Sequence, residues 1–295
     1  MTTLTRRMES AADLARARRR PTARRIALYA LVSAGALAMV YPVVWMFGAS
    51  LKPDTEIFTE VGLLPHQWDL NNYAEGWFGL QTPFGEFFLN SFIVCAGAVV
   101  GNLVSCSLTA YAFARLRFRA KGLWFVIMLG TIMLPHHVTL IPQYTLFFEL
   151  GWVDTYLPLI VPKLLATDAF FIFLFVQFIR GIPAELDDAA KLDGAGPGRI
   201  YLSIILPLLT PALVTGAIFT FIWTYNDFFS QLIYLSSRDL YTVPLALRAF
   251  LDTTGQSSWG PMFAMSALSL VPLVVIFMIF QRQIVEGIAT SGLKG

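Results

Sequence analysis

Long apolar runs dominate the chain, and short stretches of charged or turn-forming residues separate them. Six runs are long enough to supply the roughly 20 mainly apolar residues with which an α-helix crosses a bilayer. They lie at 26–50, 88–114, 123–147, 157–180, 207–235 and 262–284. Several contain Gly or Pro, which membrane helices tolerate when neighbouring groups satisfy the freed backbone. The pattern predicts an all-α polytopic membrane protein with six transmembrane helices.

The composition agrees with this pattern and excludes an ordinary soluble domain. Of the 295 residues, 56% are hydrophobic and only 14% are charged, and the mean hydropathy is +0.64. Soluble domains carry more charge and less apolar content. The net charge of +2 is less informative because it averages over two faces of a membrane.

The basic residues lie mostly on one side of the predicted membrane. If six spans alternate, 17 of the 21 Lys and Arg fall in the two terminal tails, the loop after the second run and the polar segment after the fourth. Such residues mark the cytoplasmic side. We therefore expect a multi-pass protein of the cell membrane with both termini cytoplasmic. Its parts are a basic N-terminal tail (1–25), a six-helix domain (26–285) and a C-terminal tail (286–295).

A charged island interrupts the apolar pattern between the fourth and fifth runs, in "GIPAELDDAAKLDGAGPGRIYLSIILPLLTP" from Gly181 to Pro211. Pro183 suits the first turn of a helix, and the acidic residues after it favour the positive end of the helix dipole. Gly194 can adopt the positive φ that ends a helix. The island predicts a short helix, a sharp turn and a second short helix, parallel to the membrane on the cytoplasmic side. Pro207 and Pro211 then redirect the chain into the fifth run.

One face of the predicted short helix is small and apolar. Leu186, Ala189 and Ala190 stand at the i, i+3 and i+4 positions of a helix face. Alanines there would let another protein surface approach closely, and the helix would dock by this face. From the residues alone, a docking element and a solvated connector between two spans are equally supported.

The island resembles the EAA loop of binding-protein-dependent ABC importer permeases. The resemblance is carried by Ala189-Ala190, Asp193-Gly194-Ala195, Ile204 or Ile205, and Leu206-Pro207. Asp188 stands where that motif usually has Glu, which shortens the side chain and keeps its charge. The rest of the chain is similar to the G-type subunit of maltose-like permeases, in the carbohydrate uptake type 1 branch. Its segments "SLKPDTEIF", "MLPHHVTLIPQY" and "YTVPLALRAF" follow that branch.

The resemblance implies a type I ABC importer permease fold with a cytoplasmic coupling helix in the loop 181–207. It implies that the chain forms half of a pore for a sugar or oligosaccharide. The implied partners are a second homologous permease of the F type, two ATP-binding subunits, and an external sugar-binding protein or lipoprotein. Membrane lipids surround the chain, and no nucleic acid is expected. ATP and Mg would be bound by the partner ATPase subunits, so the chain itself would be no enzyme and would carry no cofactor.

The resemblance also assigns residues to these contacts. The residues for coupling to the ATPase are Glu185, Asp188, Ala189, Ala190, Asp193, Gly194 and Ala195. The tail residues that would reach the same subunits are Thr290, Ser291, Gly292 and Lys294. The residues that would meet the binding protein are Tyr241, Pro244, Arg248 and Phe250.

Two ionisable residues lie inside predicted spans, where such residues mark a pathway or a pairing. Asp168 is in the fourth run, and Asp227 is in the fifth beside Trp223 and Asn226. Aromatic faces with amide or carboxylate groups suit a sugar, which offers hydroxyls and C–H faces. An equally supported interpretation is that these groups satisfy neighbouring helices.

Three alternatives compete with a sugar importer. A non-sugar solute is compatible with the same fold. An ion-coupled secondary transporter using Asp168 or Asp227 would predict inverted repeats, which the sequence does not show. An intramembrane enzyme would need a nucleophile–base pair or a metal set at one depth, and none is evident.

Other constellations predict no further chemistry. "GAGPG" lacks the Lys-Ser/Thr of a phosphate-binding loop, so we expect ATP only in a partner. His136 and His137 are adjacent, which puts them on different helix faces, and no cluster of ligands accompanies them. We expect no metal site and no catalytic residue.

Overall fold

The computed structural model of the chain describes residues 21–60, 62–251 and 257–292, and the regular structure in these ranges is helical. In chain order the helices are α1 (Pro21–Ala49), α2 (Asp54–Ile57), α3 (Asn71–Phe78), α4 (Phe84–Arg115), α5 (Lys121–Thr131), α6 (His136–Glu149), α7 (Leu157–Leu164), α8 (Ala169–Arg180), α9 (Glu185–Leu192), α10 (Pro197–Ile200), α11 (Leu206–Leu208), α12 (Thr210–Tyr225), α13 (Phe228–Tyr234), α14 (Val243–Ala249) and α15 (Trp259–Gly292). A π-helical stretch, Tyr201–Ile205, joins α10 to α11, and a 3₁₀ turn, Arg238–Leu240, precedes α14. Most of the predicted N-terminal tail, residues 1–20, lies outside the described residues.

Four of the six predicted spans are long apolar stretches of helix in the described part of the chain. They are Arg25–Ala49, Phe84–Arg115, Leu157–Arg180 and Trp259–Gln281. The predictions of single helices at 123–147 and 207–235 differ from the structure, where two helices build each pass, and the span at 157–180 is also interrupted at 165–168, between α7 and α8. Pro135 stands at the break between α5 and α6, where its ring excludes a helical neighbour. Asn226 and Asp227 separate α12 from α13.

Contacts between loops support six passes. The carboxylate of Asp154 accepts a hydrogen bond of 2.8 Å from the amide of Ser237, which joins the loop after the third pass to the loop after the fifth. The carboxylate of Asp54, in the loop after the first pass, accepts a bond of 2.6 Å from the amide of Gly260 at the start of α15. These three loops therefore share one end of the molecule. The loops after the second and fourth passes meet at the other end through an ion pair described below.

Helix α4 is the centre of the packing, and it contacts α7, α8 and α12. Glycines permit the close approaches. A Cβ atom on Gly97 would lie 2.8 Å from Cδ1 of Ile160, and one on Gly216 would lie 2.7 Å from Cζ of Phe175. Small residues at such crossings let membrane helices pack backbone to backbone.

Helix α1 differs from the other passes because it is exposed along nearly all of its length. Near its end, Trp45 makes an edge-to-face contact with Phe263 of α15, with ring centroids 5.4 Å apart. Apart from this end, the apolar surface of α1 is free in the monomer. It is therefore available to lipid or to another membrane protein.

Candidate functional site

The charged island folds as a short helix with a defined end. Helix α9 begins at Glu185, and Gly194 ends it with φ of +79°. The amide of Gly194 donates to the carbonyl of Lys191 over 3.0 Å, and the amide of Ala195 donates to the carbonyl of Ala190 over 2.9 Å. This pair of bonds is the Schellman arrangement, in which a residue with positive φ satisfies the last carbonyls of a helix. The predicted helix, its end and its glycine are confirmed.

The second half of the island also follows the prediction. The stretch Pro197–Leu208 runs as one short helical segment and then meets α12 at 74°. Pro207 lies in the first turn of α11, and Pro211 lies in the first turn of α12. The chain therefore changes direction at Leu209 and enters the fifth pass.

An ion pair anchors α9 to the rest of the molecule. The Nε atom of Arg115, the last residue of α4, lies 3.1 Å from Oδ2 of Asp187. The side chains are only 13% and 7% exposed. An Nη atom of Arg115 also donates to the carbonyl of Ile182 over 2.6 Å. The end of α4 and the start of the island are thereby held as one unit.

The apolar stripe of α9 is not the face that holds the helix to the rest of the chain. Leu186 and Ala189 are exposed, and only Ala190 is half-buried. The inward position is occupied by Asp187, because its charge finds a partner in Arg115. In the sequence, Asp187 was one of three acidic residues at a helix start and Arg115 one of many basic loop residues. No local signal joined the two.

The face of α9 that points away from the rest of the chain is open to a partner. The assigned residues Glu185, Asp188, Ala189 and Asp193 are exposed, and the side chain of Leu192 is 90% exposed. Lys191 donates to Asp188 over 2.8 Å, which lowers the pKa of Asp188 and raises the pKa of Lys191. An exposed pair of this kind adds little to stability. Behind the helix, the half-buried Ala190 and Ala195 line a small cavity of about 170 Å³ with Arg199 and Ser203.

Hydrogen bonds tie the second part of the island to α4 as well. The hydroxyl of Tyr111 donates to the carbonyl of Pro197 over 3.1 Å. The hydroxyls of Ser107 and Tyr201 are 2.7 Å apart and buried. Successive turns of α4 therefore hold both halves of the island, and the same helix continues into the membrane.

A polar cavity of about 430 Å³ lies where three passes are broken. The breaks are at residues 132–135, 165–168 and 226–227. Irregular backbone inside a membrane protein is tolerated where it lines a cavity. The lining residues are Thr131, Ile132, Leu134, Thr139, Gln143, Pro158, Leu159, Pro162, Lys163, Thr167, Asp168, Ala169, Phe170, Asp227, Ser230 and Tyr234. Helix α4 supports the wall of this cavity, because Ser105 donates to the carbonyl of the lining residue Lys163 over 2.6 Å.

The structure brings Asp168 and Asp227 together in this cavity. Oδ2 of Asp168 lies 2.8 Å from Nζ of Lys163. Asp227 caps α13 by accepting a hydrogen bond of 3.0 Å from the amide of Ser230. Each carboxylate therefore has a structural partner and also faces a space that could hold a ligand. Lys163 was not singled out in the sequence, since its pairing depends on the break in the fourth pass.

The other two predicted pathway residues are at the edge of the cavity or outside it. Trp223 is half exposed and packs on Phe170, a lining residue, with ring centroids 5.6 Å apart. The amide of Asn226 donates to the carbonyl of Ile222 in its own helix over 2.8 Å. Asn226 therefore satisfies a helix end, whereas Trp223 extends the aromatic wall of the cavity.

The four residues assigned to the binding protein lie around α14. Arg248 is exposed, and Tyr241 and Pro244 are half-buried. Phe250 is buried, with its ring stacked on Phe84 at 6.3 Å. The geometry makes Arg248 the most accessible of the four and gives Phe250 a packing role.

The remaining assignments concern the C-terminus and possible metal ligands. Thr290, Ser291 and Gly292 lie in the last turn of α15, whereas Lys294 is outside the described residues. In the ranges that the structure describes, no group of His, Cys, Asp and Glu could hold a metal ion. The ring of His137 packs against Phe229 with centroids 5.0 Å apart.

Comparison with known proteins gives concordant matches. Residues 101–290 match the family model described as "Binding-protein-dependent transport system inner membrane component". The probable ABC transporter permease protein YurM of Bacillus subtilis is 33% identical over 259 residues, which are 88% of this chain and 85% of YurM. The trehalose/maltose transport system permease protein MalG of Thermococcus litoralis is 31% identical over 261 residues, 88% of this chain and 93% of MalG.

A solved structure shows the same fold. It is the crystal structure of a bacterial ABC transporter involved in the import of the acidic polysaccharide alginate. One of its chains matches with a TM-score of 0.78 at 22% identity, over 90% of this chain and 97% of that chain.

Proposed function

The chain belongs to the family of binding-protein-dependent transport system inner membrane components, and we propose that it forms half of the pore of an ATP-driven sugar importer. The family resemblance and the all-helical importer-permease fold predicted from the sequence are confirmed. The protein is a transport subunit of a membrane complex and not an enzyme.

The observation that carries the proposal is the geometry of the charged island. Its first helix is anchored to α4 by Arg115 and Asp187, and its opposite face is open. Helix α4 is also bonded to the wall of the polar cavity, because Ser105 donates to the carbonyl of the lining residue Lys163. A partner that moves α9 would therefore move α4 and the walls of the cavity. In this proposal the partner is one of two ATP-binding subunits, which bind ATP and Mg and receive Glu185, Asp188 and Ala189 on their surface.

A second permease subunit completes the pore in this proposal. The long exposed surface of α1 supports it, because a membrane helix that is exposed along most of its length is available to another chain. The partner would be a homologous F-type subunit. The concentration of basic residues on the side of the charged island supports cytoplasmic termini. The end with Asp154 and Ser237 would then face outward and receive the sugar-binding protein near Arg248.

The cargo that fits best is a sugar or an oligosaccharide. A relative similar over most of this chain is named for trehalose and maltose transport. The cavity combines carboxylates, hydroxyls and an aromatic wall, which suit the hydroxyls and C–H faces of a sugar ring. A non-sugar solute remains the alternative cargo.

The experiment is ATP-driven uptake by the four-subunit complex in proteoliposomes, with the binding protein on the outside. Hydrolysis of ATP and accumulation of radiolabelled sugar are measured with the binding protein empty or loaded. We expect the loaded protein to stimulate both. Stimulation by non-sugar solutes only would overturn the sugar assignment and keep the importer. Uptake that needs an ion gradient and no ATP would overturn the importer itself.

A further inference from the structure

One hydroxyl group in the polar cavity lacks a partner in the described part of the chain. Tyr234 is only 3% exposed, lines the cavity, and its Oη atom is buried with no hydrogen bond. Its ring is fixed by stacking on Tyr144, with centroids 6.4 Å apart, and by an edge contact with Phe147 at 5.4 Å. A buried polar group without a partner is costly, and native proteins retain such groups where a ligand or a water uses them.

The charges of the cavity lining are nearly balanced and leave one carboxylate in excess. Lys163 and Asp168 form an ion pair at 2.8 Å, so their opposite charges largely cancel for a group that lies farther away. Asp227 is the third charged residue of the lining, and its Oδ1 atom is held by the amide of Ser230. An anion that entered would meet this carboxylate in surroundings where charges interact more strongly than in water. The ammonium of Lys163 is already paired with Asp168, so the lining as a whole is negative.

The other lining groups match a molecule that is rich in hydroxyls. Gln143 can both donate and accept hydrogen bonds, and the hydroxyls of Thr131 and Thr167, which donate to backbone carbonyls, can accept them. Phe170 is 46% exposed and offers an aromatic face, with Trp223 packed behind it. This combination suits an uncharged ring that carries hydroxyls on its edge and C–H bonds on its faces.

We propose that this cavity binds an uncharged, hydroxyl-rich cargo, to which Tyr234 donates a hydrogen bond, and that it disfavours carboxylated sugars. The inference rests on the proposed function for the statement that the ligand is cargo. The charge preference and the role of Tyr234 concern the cavity alone. The solved relative that imports an acidic polysaccharide provides the contrasting cargo class.

The first test measures the charge preference directly. Thr131 is exposed at the cavity, so Thr131→Cys gives a reporter thiol, while the native Cys95 and Cys106 are buried. Methanethiosulfonates carrying a trimethylammonium or a sulfonate group are applied to the reconstituted complex, and each rate is normalised to reaction with free mercaptoethanol. We expect the cationic reagent to be favoured by about tenfold, and the preference to fall severalfold when Asp227→Asn is added. Equal normalised rates, or a preference for the sulfonate, would overturn the charge assignment.

The second test isolates the hydroxyl of Tyr234. Because this hydroxyl has no partner in the described chain, Tyr234→Phe removes no internal hydrogen bond and should leave folding intact. Tyr156→Phe is the matched control, since the hydroxyl of Tyr156 is also buried and unpartnered but does not line the cavity. The readout is the concentration of maltotriose, or of a trimer of mannuronate, that halves the modification rate of Cys at position 131.

We expect maltotriose to protect, and Tyr234→Phe to raise the concentration needed by about fivefold to tenfold, as for one lost ligand hydrogen bond. The Tyr156→Phe variant should behave as the parent protein. Protection by the mannuronate trimer at the same concentration as maltotriose would overturn the cargo class. An unchanged concentration in Tyr234→Phe would overturn the role of the hydroxyl. If uptake proves independent of ATP, the proposed function fails, whereas both cavity measurements remain valid.

Discussion

The Nε atom of Arg115 and the Oδ2 atom of Asp187 lie 3.1 Å apart, and this contact joins the end of α4 to the first turn of α9. Both side chains are largely buried. Because α4 is also bonded to the cavity wall through Ser105 and the carbonyl of Lys163, the pair connects the exposed face of α9 to the interior of the membrane domain.

Breaking this pair should separate ATP hydrolysis from transport. Arg115→Gln or Asp187→Asn leaves one buried charge without a partner, which typically costs about 3–5 kcal/mol. We expect α9 to loosen from α4 in either variant, so that sugar moved per ATP falls severalfold while hydrolysis continues. The ratio of uptake to hydrolysis in proteoliposomes is the measurement. Lys191→Gln removes only an exposed pair and serves as the control.

Exchanging the two charges between positions 115 and 187 should restore the coupling between ATP hydrolysis and transport. Arg115→Asp combined with Asp187→Arg should recover a substantial part of the coupling that either single reversal loses. If the double variant is no better than the single variants, the ion pair is not what transmits the movement.

Gly194 should tolerate substitution in a graded order. Its φ of +79° costs an ordinary L-residue about 1–2 kcal/mol, whereas Asn adopts this region more readily. We expect coupling to decrease from the parent through Gly194→Asn and Gly194→Ala to Gly194→Val. Gly198 has no positive φ, and a Cβ atom there would meet no other atom within 4 Å, so Gly198→Ala should behave as the parent. Equal coupling in all the variants at position 194 would contradict the role of the helix end.

The buried ammonium of Lys52 should organise the outer loop. Lys52 is 1% exposed, and its Nζ atom donates to the carbonyl of Gly62 over 2.6 Å. The side-chain amide of Asn72 donates to the backbone carbonyl of Lys52. In Lys52→Met the Gly62 carbonyl loses its partner, at a cost of about 1–3 kcal/mol. We expect stimulation by the binding protein to fall while basal ATP hydrolysis is retained. The exposed Glu75→Gln is the control, and a parallel loss of basal hydrolysis in Lys52→Met would argue against this account.

Acid should open the contact between Asp154 and Ser237. Hydrogen bonds from the Ser237 side chain and amide lower the pKa of Asp154. The stabilisation is therefore complete above the ordinary Asp pKa of about 4 and is lost as the pH falls through the lower folded value. Hydrogen exchange at the amides of Ser236 and Ser237, which both donate to Asp154, reports the opening. We expect their exchange, relative to the intrinsic rate at each pH, to rise only below about pH 4. A rise near neutrality would contradict the assignment.

The sequence predicted what depends on local chemistry. The apolar runs located the passes, and the acidic helix start and Gly194 located α9 and its end. The breaks in the third, fourth and fifth passes were missed, although Pro135 was visible, because proline alone also occurs within continuous helices such as α15. Whether a helix breaks depends on neighbours that satisfy the freed groups.

The partners of the site residues could not be read from the sequence. Asp168 and Asp227 were candidates, but their common cavity depends on where three breaks meet. The pairing of Arg115 with Asp187 joins two loops that are far apart in the chain. Burial of Phe250 depends on its stacking against Phe84. Each of these contacts is tertiary, and the local pattern carries no trace of it.

The most direct test of the central claim is crosslinking from the exposed face of α9. Leu192→Cys is labelled with a maleimide benzophenone in the assembled complex and irradiated with and without nucleotide. Leu202→Cys, which is also exposed but lines an apolar groove beside α4, is the matched control. We predict a crosslink from position 192 to an ATP-binding subunit, with a yield that changes with nucleotide, and none from position 202. The absence of that crosslink, or equal yields from both positions, would contradict the docking of α9.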